Sequence, residues 1–206
     1  MSLKKRVLVL ISLSAFFCGS SILFSQEIVV TKKDGSPIKG VFVKAENNGD
    51  LWLKQGPVQT RIKTNEYSYA RLTQKPKDID AAQKILASKN YDAAAAEFKK
   101  LYASYRFVGY DVACILGEST ALAASGKKPE AITRLKLLDK YELADQSKES
   151  DFYEARKLLA SLYIDESKFD EAMEILSELG QSNDDNIATF GFNSRGNILL
   201  KQNKKK

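Results

Sequence analysis

The chain has 206 residues, 44% of them hydrophobic and 28% charged, with only four prolines, a balance that excludes a disordered or Pro-rich protein. It contains no histidine, which removes the commonest general base and metal ligand, and with them any Ser/His/Asp or Cys/His arrangement. The net charge of +6 is concentrated at the two ends. With Lys4, Lys5, Arg6, Lys201 and Lys204–Lys206 set aside, the remainder is close to −1, so the charge balance gives no support to nucleic-acid binding.

The first element is a basic start followed by an apolar run, Val7–Phe17, and then small residues. The run is too short to span a bilayer, which takes about 20 residues. The pattern is that of a secretory signal, so residues 1–25 are expected to be a signal peptide and the mature protein periplasmic or otherwise exported. Phe24-Ser25 before Gln26 is one cleavage candidate, with Ser20 and Ser21 as alternatives. Cys18 would anchor the chain to a membrane only if lipidated, and the phenylalanines before it do not suit a lipobox. Cys114 lies in an apolar helical pattern and is expected to be a buried, inert thiol.

Residues 26–73 read as a small β module of about five strands. Glu27–Thr31 is a β-branched run, Asp34-Gly35 a tight turn, and Ile38–Ala45 a second strand with a bend or bulge at Gly40. Asn47-Asn48-Gly49-Asp50 is a hairpin turn, because Asn and Gly tolerate positive φ. Leu51–Lys54 follows, Gly56-Pro57 breaks it, and Thr60–Lys63 and Tyr67–Leu72 complete the set. Short antiparallel strands of this kind commonly close into a barrel. The module weakly resembles the SH3-like and Sm-like class.

After Gln74-Lys75-Pro76 the period becomes helical, and an internal repeat appears. Lys89-Asn90-Tyr91-Asp92-Ala93-Ala94-Ala95, Gly126-Lys127-Lys128-Pro129-Glu130-Ala131-Ile132 and Ser167-Lys168-Phe169-Asp170-Glu171-Ala172-Met173 each combine a polar turn, an acidic helix start and a small residue. Aligned on Tyr91, Lys128, Phe169 and Lys205, the units are 37, 41 and 36 residues apart. Within each first helix a small residue recurs, Ala82, Ser119, Ala160 and Gly196, with Ile85, Leu122, Tyr163 and Leu199 three positions later. Ala94, Ala131 and Ala172 open the second helices, followed by Phe98, Leu135 and Leu176. In this register residues 76–206 resemble the tetratricopeptide repeat (TPR) family, whose units are about 34 residues long. Ile115 and Phe192 fit the family's large opening residue, whereas Asp78 and Arg156 do not, and the closing prolines are missing. The resemblance implies a mainly α, TPR-like αα-hairpin solenoid behind the β-barrel-like module, with its last repeat incomplete, and a stack in which each hairpin buries its apolar face on the next.

Candidate chemistry is sparse. The sequence has no Walker loop, no GxGxxG and no HExxH. Asn183-Asp184-Asp185-Asn186 lacks the alternating ligands of a calcium loop and reads as a helix N-cap. Asp165-Glu166 and Asp170-Glu171 lie at a helix end and a helix start, where acids serve the helix. Tyr102, Tyr105, Phe107 and Tyr110 read as core between the first two repeats. No catalytic residues, metal site or cofactor are expected. In a TPR array the first helices line a concave groove, which makes Phe190, Asn193, Asn197 and Lys201, with Glu154, Lys157 and Ser161, the candidate peptide-binding residues. Asn193 and Asn197, one turn apart, could hold an extended backbone, since each amide both donates and accepts.

The expected function is therefore a non-catalytic protein-binding scaffold, with another protein or peptide as partner and no nucleic acid. The alternative is a self-associating cell-envelope structural or assembly factor, joined through the incomplete C-terminal repeat. A third possibility, an enzyme accessory domain, is disfavoured by the missing catalytic residues.

Overall fold

The computed structural model describes residues 26–139, 141 and 148–203. The expected signal segment, Cys18 and the last three lysines lie outside the described residues. Five strands come first: β1 Glu27–Lys32, β2 Pro37–Ala45, β3 Leu51–Gln55, β4 Val58–Ile62 and β5 Tyr67–Leu72. Seven α-helices follow among the described residues: α1 Lys77–Ala87, α2 Tyr91–Tyr105, α3 Asp111–Ala124, α4 Lys128–Leu135, α5 Glu149–Asp165, α6 Phe169–Leu179 and α7 Asp185–Asn203. The chain is mainly helical, with the sheet at its N-terminal end.

The strands form one antiparallel sheet in the order β4-β3-β2-β1-β5. Alternation sends Ile28 and Val30 of β1, Leu51 and Leu53 of β3, and Ala70 and Leu72 of β5 into one apolar layer. The sheet is open and not the barrel that its strand pattern suggested. β4 and β5 are the two edges, separated in sequence by the 3-10 turn Thr64–Glu66. Closure is replaced by a segment from the helical half. Val108, fully buried, joins the sheet's core with Tyr105, Phe107 and Tyr110 against it. The Leu72 N–H donates to the Val108 carbonyl at 3.2 Å. Arg106 donates to the Asn47 carbonyl at 3.1 Å and stacks on Phe107. Of the aromatic run expected between repeats, Tyr105 and Tyr110 pack both there and against the sheet, and Phe107 against the sheet. Only Tyr102 packs wholly among helical residues.

The bulge expected at Gly40 falls instead between Phe42 and Lys44, where the pairing of β2 with β3 shifts register. Gly40 has a different role. A Cβ there would stand 3.1 Å from the Lys54 carbonyl oxygen and 3.3 Å from the Leu53 side chain, so a side chain would crowd β3.

The Asn47–Asp50 turn anchors a polar network at one end of the sheet. Asp50, 6% exposed, accepts from the Thr64 N–H at 2.9 Å, the Thr64 hydroxyl at 3.1 Å and Arg61 Nε at 3.0 Å. These donors, the Thr64 amide foremost, hold its carboxyl below the usual value, against the effect of burial. Arg61 also reaches Glu46, which accepts from the Trp52 indole N–H at 2.8 Å.

The helices form the hairpin pairs α1 with α2, α3 with α4 and α5 with α6, and α2 also packs on α3 and α6 on α7. The three short turns that close the first three pairs are alike. Each places one residue in the left-handed region: Lys89 at φ 64°, Gly126 at φ 83° and Ser167 at φ 59°. These are the residues that open the three repeated sequences. The small residues Ala82 and Ala94, Ser119 and Ala131, and Ala160 and Ala172 are all fully buried within their hairpins. Arg156, the unexpected opener of the third unit, is buried as an ion pair, with Asp139 at 2.8 Å and Glu178 at 2.6 Å. Asp184 caps α7 as expected, its carboxylate accepting from the Asn186 N–H at 2.8 Å.

Candidate functional site

Alternate helices lie side by side: α1 beside α3, α3 beside α5, α5 beside α7. Small residues at the hairpin contacts let the second helices sit close behind them. The result is a groove of about 550 Å³ walled by α1, α3, α5 and α7. Its floor is apolar, with Leu86 of α1, Leu116 of α3 and Leu158 of α5. Phe98 of α2 reaches the floor from behind because α3 carries Gly117 there, where a Cβ would lie 2.5 Å from the phenylalanine ring.

The rim is polar and comes mostly from α5. Lys157 pairs with Glu154 at 2.8 Å and stands over the Phe190 ring at 5.3 Å. That contact bridges α5 to α7 and fixes the ammonium group at the groove edge. Ser161 turns its hydroxyl back to the Lys157 carbonyl at 2.9 Å, as Thr120 does to Leu116 at 2.8 Å. Both hydroxyls are therefore partly occupied within their own helices. Asp151, one turn before Glu154, is half-buried among the lining residues. Burial pushes its carboxyl above the usual value; Lys75 opposes this and the Glu154 charge adds to it.

Four of the seven residues singled out from sequence meet in this groove: Glu154, Lys157, Ser161 and Phe190. Asn193, Asn197 and Lys201 are exposed and lie outside its lining. They occupy the register positions of Lys157, Ser161 and Asp165, but among the described residues no helix packs beyond α7 to make a wall of them. Sequence reasoning missed Asp151, which reads as one more acid in a helix's first turn. The i, i+3, i+7 spacing of Asp151, Glu154 and Leu158 was the available signal.

A second cleft of about 910 Å³ opens between the sheet and the first hairpin, lined in part by Phe42, Lys44, Lys75 and Tyr105. Two of its charges are already engaged: Lys75 pairs with Asp80 at 2.7 Å, and Tyr105 donates to Asp78 at 3.0 Å.

Neither opening contains an activated nucleophile. Cys114, on α3, is buried against α1 and α2, and burial pushes its thiol up to about 12, which leaves it protonated and unreactive. Among the described residues no helix is long and apolar enough to cross a membrane, and no cluster of acids and cysteine is placed to hold a metal ion. No protein-family model, curated protein or solved structure matches the chain.

Proposed function

We propose that the chain is an exported, non-catalytic scaffold that binds a segment of another protein in a TPR-like groove. The observation that carries this reading is the alternation: every lining residue of the groove except Phe98 of α2 belongs to α1, α3, α5 or α7. An apolar floor with a polar rim suits an extended peptide, because side chains can bury while the backbone meets polar groups. Asp151 adds direction. A carboxylate that is desolvated in an apolar groove gains from a cation, so the segment it favours carries a lysine or arginine beside an apolar residue. The repeat register and the basic-then-apolar N-terminus support the solenoid and export parts of the reading.

The test is affinity capture from a cell-envelope extract with two baits. One is the native chain; the other carries Asp151→Lys and Thr120→Trp, which reverse the groove's acid and fill its floor. Partners held by the native chain and lost by the variant, with unchanged circular dichroism, are the expected result. Equal capture by both baits would remove the groove from the account.

A second reading, self-association, is favoured by the exposed apolar residues Phe192, Leu199 and Leu200 on α7.

A further inference from the structure

The second cleft lies at the end of a central strand. β1 has β2 on one side and β5 on the other, and at its N-terminal end the described residues begin with Gln26 and Glu27. There its two neighbours run on. On one side the last register pair is Glu27 with Val41, followed by the Gln26 carbonyl, which accepts from the Phe42 N–H at 2.8 Å. β2 then continues through Val43 and Lys44 to Ala45. On the other side the Glu27 carbonyl accepts from the Thr73 N–H at 2.8 Å, and the chain continues through Gln74 and Lys75. Phe42–Ala45 and Thr73–Lys75 line the cleft, with Gln26 and Glu27 between them. Its far wall is the first hairpin, with Asp78 of α1 and Ala103–Tyr105 of α2. The cleft is therefore the slot into which β1, followed backwards, would run.

The residues that precede Gln26 are Ile22-Leu23-Phe24-Ser25. As a continued strand they would find backbone partners on both sides. Alternation sets the direction of each side chain. Ile28 and Val30 belong to the apolar layer, so Phe24, four residues before Ile28, falls on that side and Ser25 on the solvent side. The layer is open at this end. Phe42, Ala45 and Tyr105 are only half-buried at its margin, and Ala45 is small enough to leave space for a ring.

A further observation is independent of the cleft. Signal cleavage takes small residues at the last and third-last positions before the cut. A cut after Ser25 would have Leu23 in the third-last place, whereas a cut after Ser21 has Gly19 there.

We infer that export removes residues 1–21, and that the new N-terminal segment Ile22–Ser25 occupies the cleft as the continuation of β1, with Phe24 against Phe42, Ala45 and Tyr105. The position of the cut rests on the export reading; the packing does not. The cleft then belongs to the fold, and the groove walled by the odd-numbered helices is left as the open one.

The experiment joins N-terminal sequencing of the exported protein with residue-level hydrogen exchange on the same material. Ile22 as first residue, with slowly exchanging Phe24 and Ser25 amides, is the expected result. Gln26 as first residue would overturn the inference, and so would Phe24 and Ser25 amides that exchange as fast as an unstructured chain. Chains that keep Met1 would remove the cut and the export reading, while slow exchange at Phe24 and Ser25 in those chains would uphold the strand. Two substitutions read the side-chain direction. Phe24→Asp should lower the melting midpoint by roughly 5 °C, and Leu23→Asp should leave it within about 1 °C. Equal shifts would overturn the packing.

Discussion

The sheet and the helical array treat their buried acids in opposite ways. In the sheet, Asp50 is surrounded by donors, and its carboxyl is held below the usual value. In the array, Glu118 of α3 and Asp151 of α5 are desolvated, and both are pushed above theirs. Glu118 pairs with Arg134 at 2.7 Å, itself stacked on Tyr102 at 4.0 Å, and also feels the charge of Lys99. Asp151 has only the charge of Lys75 acting on it from a distance, with that of Glu154 opposing. The sheet's acid is thus satisfied by the fold, whereas the acid in the groove would still gain from a donor, which is the basis of its place in the proposed binding site.

The largest effect that would sharpen this contrast is expected at Glu118. Glu118→Ala leaves Arg134 with only the Tyr102 ring in the space between α3 and α4, and breaking a buried pair costs about 3–5 kcal/mol. Urea unfolding should show that loss, whereas Asp151→Ala, which removes an acid with no hydrogen bond to break, should change stability little. Similar losses from the two would erase the distinction.

Next in size is the packing that places α7. In Gly191→Ala the new methyl meets backbone at Gly180 and Leu176, atoms that cannot swing aside, so a loss of about 1–3 kcal/mol is expected. Gly196→Ala should raise the stability of the monomer by up to about 1 kcal/mol, the difference in helix propensity. Thermal melts of the two variants, taken at low concentration, should move in opposite directions.

Smaller effects belong to the turns. Lys89 and Ser167 hold the left-handed conformation that Gly126 adopts without strain. Gly126→Ala should cost about 1 kcal/mol, and Lys89→Gly should gain a few tenths, the relief of strain being partly offset by a freer unfolded chain. Urea midpoints would check both signs.

The smallest and most discriminating effect is in pH. The folded value of Asp50 lies below the usual 3.8, so its stabilisation is present above that value and is lost as pH falls through the lower one. The folded value of Glu118 lies above the usual 4.5. Its contribution is therefore fully present below 4.5 and is lost as pH rises through the raised value. Acidification weakens the sheet while relieving the array. Trp52, the single tryptophan, lies in β3, so its fluorescence should change in acid before the far-ultraviolet helical signal does. Asp50→Asn should flatten the acid limb of the Trp52 signal.

Much of this was legible in the sequence, for local reasons. Strand positions follow from alternation and from turns such as Asn48-Gly49 and Gly56-Pro57, which act within a few residues. The hairpin turns follow from the repeat. Barrel closure was not legible, because it depends on whether β4 meets β5, and Val108 takes that place from some 36 residues beyond β5. The aromatic run from Tyr105 to Tyr110 was read as core between repeats, and Tyr105 and Tyr110 do pack there, but both also face the sheet, as Phe107 does: periodicity reports burial, not everything that lies opposite. In the groove, the register located Glu154, Lys157, Ser161 and Phe190. It assigned Asn193 and Asn197 equally, since a repeat pattern does not show which helix has a neighbour on only one side. Asp151 was hidden because a first-turn acid usually serves its own helix.

The central claim is that the groove is the binding face, and site-specific photocrosslinking in intact cells tests it most directly. A photoreactive residue is placed at Gln83 or Lys157, which line the groove, and in a parallel strain at Glu174, exposed on α6. The account predicts adducts with another protein from Gln83 and Lys157, lost when Asp151→Lys is added, and none from Glu174. Adducts from Glu174 with none from the groove positions would contradict it.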